Sequence, residues 1–163
     1  MTVVALGRDQ YLYVNTGVKD GTGENVDAVW TEIGLAADVT FNREKTEIDV
    51  TNRESARTGY TATAQGLKSF SVEYDTHKPA LGETPNAGDQ LISDAWLNNT
   101  VEEIIVAEGP ASGTSVPCVF AEVNVGGGSE SQPLNEAVTS NVSLTNVGAP
   151  VPGTLTSGAF TAS

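Results

Sequence analysis

Two side chains of this sequence have the chemistry of a nucleophile and its base: Cys118 and His77, the only cysteine and the only histidine. A histidine that removes the thiol proton would make a cysteine nucleophilic. Cys118, however, lies in the apolar run PCVFAEV, where a cysteine is more often a small buried hydrophobic residue. His77 lies in the loop sequence THKP. A catalytic dyad is therefore a remote alternative.

The remaining candidates for catalysis are weaker. Glu102 and Glu103 are adjacent on a predicted strand, so their side chains point to opposite faces and cannot act as a paired acid and base. The triple glycine at 126–128 is not followed by Lys and Ser or Thr, so it is not a phosphate-binding loop. The sequence predicts no enzyme and no cofactor.

A calcium loop is suggested by DGTGEN, in which Asp20, Thr22 and Glu24 alternate. The sixth position of that loop is Asn25 where glycine is needed, and the twelfth is Thr31 where glutamate is needed. We therefore interpret the segment as a surface loop and predict no metal site.

Charge is distributed unevenly along the 163 residues. The formal net charge is -13, which argues against a nucleic-acid-binding surface. All eight basic residues precede Pro79: Arg8, Lys19, Arg43, Lys45, Arg53, Arg57, Lys68 and Lys78. The charged residues after Pro79 are all acidic. An acidic surface that merely maintains solubility is the plain alternative.

Composition and alternation favour a β-rich domain. The chain has 17 Gly and 7 Pro, no possible internal disulfide, no apolar run long enough to span a membrane and no secretory signal at its start, so synthesis in a cytosol fits. We predict a mainly β fold, a β-sandwich or barrel of two packed antiparallel sheets, with one short flanking α-helix at about 88–98.

The segment 30–52 is the central element of the predicted fold. It should form a strand, a compact charged turn at 42–45 and a returning strand at 47–52. Alternation places Ile48 and Val50 on a core-facing side and Glu47 and Asp49 on the other. One β-rich domain should span 1–147, with a charged hairpin or loop at about 42–66, called the arm below. Residues 148–163 have little to bury and should form a flexible C-terminal tail.

The arm holds half of the basic residues: Arg43, Lys45, Arg53 and Arg57. One interpretation is a solvated hairpin whose ion pairs contribute little. The other is a projecting element that docks on the acidic surface of an identical subunit. The sequence does not choose between them.

The order of these segments resembles the tail tube (major tail) proteins of long-tailed bacteriophages over roughly residues 6–148. The resemblance rests on WTEIGLAADVTFNREKTEIDVTNRES, the strand GLKSFSVE, the helix of GDQLISDAWLNNT, the strand CVFAEVNV and QPLNEAVTSNVSLTNVG. The positions that match the family pattern are Arg43, Ile48–Thr51, Gly66–Leu67, Pro133, Val138–Thr139 and Ser143–Leu144.

This resemblance implies a structural virion protein made in the host cytoplasm and located in the tail. Six copies would form a ring, and rings would stack into a tube through which genomic DNA passes without specific binding. The other partners would be tape measure, tail terminator and distal tail proteins, with no membrane. An acidic lumen would repel phosphates. The candidates to face it are Glu47, Asp49, Glu73 and Glu122.

Two other binding or structural roles stay open. The chain could be another β-rich virion component, such as a capsid decoration or tail terminator protein. It could also be a carbohydrate-binding β-sandwich, but such a module needs an exposed aromatic platform, and aromatic residues are only 6% of this chain.

Overall fold

The structure is a computed structural model that describes residues 10–163 except 34, 35, 133 and 135. Pro133 and the first nine residues of the predicted domain thus lie outside the described residues. The helices are α1 (Arg53–Arg57) and α2 (Ala87–Asn98). The strands are β1 (Tyr11–Asn15), β2 (Trp30–Glu32), β3 (Ala36–Asp49), β4 (Thr63–His77), β5 (Val101–Ala107), β6 (Val116–Gly126), β7 (Glu130–Ser131), β8 (Thr139–Asn146), β9 (Val151–Thr156) and β10 (Ala159–Ala162).

All strand pairs are antiparallel, and the main order is β2-β1-β5-β6-β8-β4-β3. The long strand β6 divides the sheet, because residues 116–120 pair with β9 and residues 123–126 pair with β8. The mainly β class and the flanking helix are confirmed. Hydrogen bonds join the described strands into one forked sheet, where the sequence had suggested two packed sheets.

Two hydrophobic cores lie on opposite faces of this sheet. Ile104 belongs to the first core and Ile105 to the second, and both are fully buried. Consecutive strand residues point to opposite faces, so β5 contributes to both cores. Helix α2 covers the first core with Ile92. Leu155 and Phe160, from the last two strands, complete the second.

Helix α2 begins and ends with defined caps. The Asn86 side chain accepts hydrogen bonds from the N–H groups of Gly88 and Asp89, and Asn99 closes the helix in the left-handed conformation at φ 54°. The helix therefore starts at Ala87, one residue before the predicted bound.

The arm is a longer hairpin than its sequence suggested. The predicted turn at 42–45 is wrong: β3 continues through it to Asp49, and the chain reverses through α1 before β4 begins at Thr63. The predicted core contacts of Ile48 and Val50 are also wrong, because these side chains are 53% and 48% exposed. The far ends of β3 and β4 pair with each other past the point where β8 ends, and no described segment covers them there. Alternation in this part of the hairpin therefore does not mark a buried face.

The C-terminal segment is likewise not the flexible tail that its composition suggested. Residues 151–162 form the hairpin β9–β10, and β9 extends the edge of β6. Leu155 and Phe160 are buried, and the Phe160 ring lies 5.5 Å from that of Phe120. This segment has few hydrophobic residues, but two of them are buried and its first strand pairs with an open edge of β6. These contacts are enough to give it a defined structure.

Candidate functional site

The four basic residues of the arm, Arg43, Lys45, Arg53 and Arg57, are exposed. None takes part in the two salt bridges found among the described residues, Lys19–Glu102 and Lys78–Glu130. The Arg43 guanidinium lies 4.9 Å from the centre of the Phe41 ring, two positions away on the same strand face. The positive charge of the arm is therefore available for contact with another molecule.

A polar sheet face spans four strands beside the second core. Strand pairing aligns Thr40 with Glu73, Glu73 with Ser143, and Ser143 with Gly126. Paired residues share a face, so the polar sheet face also includes Asn42 and Glu44 on β3, Ser71 and Asp75 on β4, Asn141 and Thr145 on β8, and Asn124 and Glu122 on β6. It carries four carboxylates, and none of these described positions is Lys or Arg.

The four candidate lumen residues separate into two pairs. Glu73 is exposed on the polar sheet face, and Glu122 lies half-buried on it. Glu47 and Asp49 are also exposed, but they follow a register shift between Lys45 and Glu47 and pair with Gln65 and Thr63, beyond the part of β4 that pairs with β8. The sequence suggested a single acidic surface, because it did not show that β3 continues through 42–45 and carries Glu47 and Asp49 beyond the strands that form the polar sheet face.

The acids of these two pairs also differ in surroundings. Hydrogen bonds from the hydroxyl and the N–H of Thr51 hold the pKa of Asp49 below its usual value. Glu122 lies under the loop 16–29, since a Cβ added at Gly21 would be 2.8 Å from its Oε1.

Sequence reasoning missed Glu44 and Asp75, although Asp75 follows Glu73 at strand spacing.

Loop 16–29 is held over the sheet by two buried carboxylates. Glu103 accepts hydrogen bonds from Asn15 Nδ2 at 2.9 Å and from Gly21 N at 2.7 Å. Glu102, on the other face of β5, accepts from Lys19 Nζ at 2.8 Å. Two adjacent glutamates that looked unusable for catalysis thus anchor the same loop from both faces of the strand. Buried charges need such partners.

The DGTGEN segment forms the outer part of that loop. Asp20 Oδ1 accepts hydrogen bonds from the N–H and the hydroxyl of Thr22, which lower the pKa of Asp20. Gly23 has φ 73°, and a Cβ there would lie 2.6 Å from the Phe120 ring, so glycine is required. No group of three or more potential metal ligands comes together in the described part of the chain. Nor does any helix there have the length and apolarity to cross a membrane.

Cys118 and His77 are not brought together. Cys118 belongs to the second core and is 6% exposed, whereas His77 lines a groove of about 720 Å³ between β4, α2 and residues 126–130. Burial raises the pKa of the Cys118 thiol to about 11. A buried, protonated thiol without a base is a packing residue, which is the reading that the sequence favoured.

We expect Cys118 to react with a thiol reagent such as DTNB at least about 100-fold more slowly in the native protein than in the urea-unfolded chain. A pKa about two units above the ordinary value lowers the thiolate fraction about 100-fold at neutral pH, and burial adds a steric block. Stopped-flow absorbance measures both rates. Comparable rates in the two states would contradict the burial of this side chain.

The similarity of this chain to known proteins lies in its fold. No family model and no curated protein matches the sequence. Solved structures do match. One is the tail of an empty GTA particle computed with helical refinement and C6 symmetry, at 17% identity and TM-score 0.66, covering 98% of this chain and 100% of that chain. The chain has the fold of a tail tube protein.

Two further structures agree with this assignment of the fold. The virion of a native gene transfer agent particle contains a chain at 14% identity and TM-score 0.64, with 98% of this chain and 100% of that chain covered. The SPP1 tail tube, determined by solid-state NMR and cryo EM, matches at 13% identity and TM-score 0.65, with 95% and 82% covered. The resemblance that the order of sequence segments suggested is confirmed at the level of the fold.

Proposed function

We propose that this protein is the structural subunit of a phage-type tail tube, in which hexameric rings stack and enclose an acidic lumen that conducts genomic DNA during ejection. The observation that carries the proposal is the polar sheet face. It is wide, bears four carboxylates and lies on a fold shared with the GTA tail and the SPP1 tail tube. The C6 symmetry of the GTA tail supports six subunits in each ring.

Electrostatics explains why such a face suits the passage of DNA. Phosphates are attracted by clustered Lys and Arg and repelled by carboxylates. Glu44, Glu73, Asp75 and Glu122 would line the channel without a basic residue at the described positions of the face. DNA could therefore move past without being retained.

The arm is the second element of the proposal. Its basic residues Arg43, Lys45, Arg53 and Arg57 would contact acidic surface on a neighbouring subunit. The chain carries a net charge of -13, so copies repel each other unless positive charge lies at their contact. Its apolar side chains support the same role: Tyr60 is 78% and Leu67 is 85% exposed.

Location and further partners follow from this role. The protein would be made in the cytoplasm of the host bacterium and incorporated in the virion tail, beside tape measure, tail terminator and distal tail proteins. Its part would be structural and not enzymatic. This is consistent with the burial of Cys118 away from His77.

The proposal is tested by concentrating the purified protein and examining it by negative-stain electron microscopy and sedimentation velocity. We expect six-fold rings that stack axially into tubes with an open centre. Rings that never stack would indicate a tail terminator instead. A protein that stays monomeric at millimolar concentration, with neither rings nor tubes, would refute the proposal.

The lumen assignment has its own test, because the two acidic pairs differ in position. In particles built with the double variant Glu73→Gln and Glu122→Gln, we expect tubes to form normally and triggered DNA ejection to slow several-fold, since part of the repulsion of phosphate is lost. Ejection is followed by the fluorescence of a DNA-binding dye. The control variant, Glu83→Gln with Glu108→Gln, neutralises exposed acids off the polar sheet face.

The variant Glu47→Gln with Asp49→Asn is measured in parallel. Slower ejection with intact tubes would support a lumen position for these two residues. Loss of assembly would place them at a subunit contact, as their position on the arm suggests. An unchanged ejection rate in the Glu73 and Glu122 variant would contradict the lumen role of the polar sheet face.

A further inference from the structure

A groove of about 380 Å³ lies at the base of the arm, where the sheet forks. Its floor is apolar: Phe41 and Phe70 from the arm side, Val119 of β6, and Pro150 and Pro152 from the segment that enters β9. The groove is on the side of the sheet that carries α2, because Phe70 belongs to the first core. It could receive an apolar side chain from outside.

The rim of this groove is positively charged. Arg43, Lys45 and Lys68 all line it, and Lys45 lies directly opposite Lys68 in the β3–β4 pairing. Like charges directly opposite each other on paired strands are destabilising. Neither lysine forms a salt bridge among the described residues, and the one carboxylate among the described lining residues, Glu44, belongs by alternation to the other face. An anionic partner would relieve this repulsion.

The last turn of α2 has the complementary character. Trp96 and Leu97 are 55% and 68% exposed, although they follow the buried Ala95. Asp94 lies next to Leu97 on the helix surface, at i,i+3 spacing. The last turn contains no basic residue, so no cation of its own element offsets the negative end of the helix dipole. The turn therefore presents an apolar side chain with negative charge around it.

These two surfaces lie at opposite ends of β6. Helix α2 packs over β1, β2, β5 and β6, with Trp96 next to Gly127, whereas the groove includes Val119 of β6 and extends towards β3 and β4. One molecule cannot bring them together without breaking its first core. Two molecules side by side can, and a head-to-tail contact of this kind closes into a ring when its rotation permits.

We propose that the groove formed by Arg43, Lys45 and Lys68 receives the last turn of α2, with Leu97 on its floor and Asp94 at its rim, from a second copy of this chain. The proposal rests on the proposed tube function and names the contact between neighbours within a ring. It assigns the groove to a copy of the chain and not to a free anion.

The first test reverses the charge of the groove. In Lys45→Glu with Lys68→Glu, the opposed pair stays like-charged, so the fold is perturbed little, but we expect the critical concentration for assembly to rise about tenfold or more. Adding Asp94→Lys should bring the critical concentration most of the way back to the wild-type value. Glu108→Lys, the same charge change on an exposed acid away from α2, should have a smaller effect. Assembly is measured by sedimentation. Tubes that form at the wild-type concentration in the double variant would overturn the docking and leave the tube function standing.

The second test does not need tubes. Molecules with Lys45→Cys and molecules with Leu97→Cys, both carrying Cys118→Ala, are mixed and oxidised. We expect a mixed dimer cross-linked between positions 45 and 97, with Glu83→Cys, at an exposed position away from the groove, replacing Lys45→Cys as the control. A cross-link without rings or tubes would support the docking and refute the tube function. Its absence, with or without tubes, would refute the docking.

Discussion

A chain ended after Val147 is expected not to fold into a stable domain. The missing hairpin β9–β10 supplies Leu155 and Phe160 to the second core, and it pairs along β6 from Val116 to Phe120. Burial of each of these two side chains is worth about 2–5 kcal/mol, and the whole domain has only about 5–15 kcal/mol of stability. Loss of both would also leave Phe120 exposed.

Thermal unfolding followed by circular dichroism measures this effect. Single variants keep the experiment quantitative if the truncated chain aggregates: Leu155→Ala and Phe160→Ala should each destabilise by about 2–5 kcal/mol. Thr161→Ala, an exposed residue of the same hairpin, serves as the control and should change stability by less than about 1 kcal/mol. A truncated chain that melts at the wild-type temperature would restore the interpretation of this segment as a tail.

Replacing Asn15 by alanine is expected to lower the free energy of unfolding by about 2–4 kcal/mol. Asn15 is 1% exposed and uses both ends of its amide. Its Oδ1 accepts from Gly17 N and Val29 N at 2.9 and 3.0 Å, and its Nδ2 donates to Val18 O and to Glu103 Oε2, both at 2.9 Å. Without it, the buried Glu103 carboxylate would keep only Gly21 N of these two partners, and the loop 16–29 would lose the bonds of Gly17, Val18 and Val29 to this side chain.

Urea unfolding measures the change in the free energy of unfolding, and hydrogen exchange shows which amides lose protection. The amides of Gly17 and Val29 should exchange much faster in the variant, while those of β6 should be protected as far as global stability allows. Asn25→Ala removes another asparagine of the same loop, one whose Oδ1 accepts from Asp27 N at the surface, and should cost about 1 kcal/mol or less. Equal effects of the two substitutions would contradict the role given to Asn15.

Local sequence patterns determined the parts of this protein in which neighbours along the chain decide structure. Alternation at 70–74 located β4, and the apolar centre of 104–106 located β5. Helical spacing of Leu91, Ile92 and Ala95 located α2. The order of such segments was enough to indicate the tail tube fold, although identity to the matching structures is only 13–17%.

The sequence was least informative where burial depends on what lies across the sheet. Ile48 and Val50 alternate as a core strand does, yet they extend beyond the core and are exposed. Residues 148–163 look polar, yet Leu155 and Phe160 reach the second core because β6 offers an open edge to them. Alternation reports which residues share a face, but not whether anything covers that face.

For the charged residues too, the sequence determined some properties and the tertiary structure decided others. The sequence by itself determined that the chain is strongly acidic, that half of its basic residues lie in the arm and that no catalytic group is well supported. Only the tertiary structure decided which acids lie together. Strand pairing joined Glu73 to Glu122 on one face, placed Glu47 and Asp49 beyond a register shift in the arm, and gathered Arg43, Lys45 and Lys68 around a groove. Pairing partners come from distant segments, so their register is set by the packing of the whole sheet and not by local propensity.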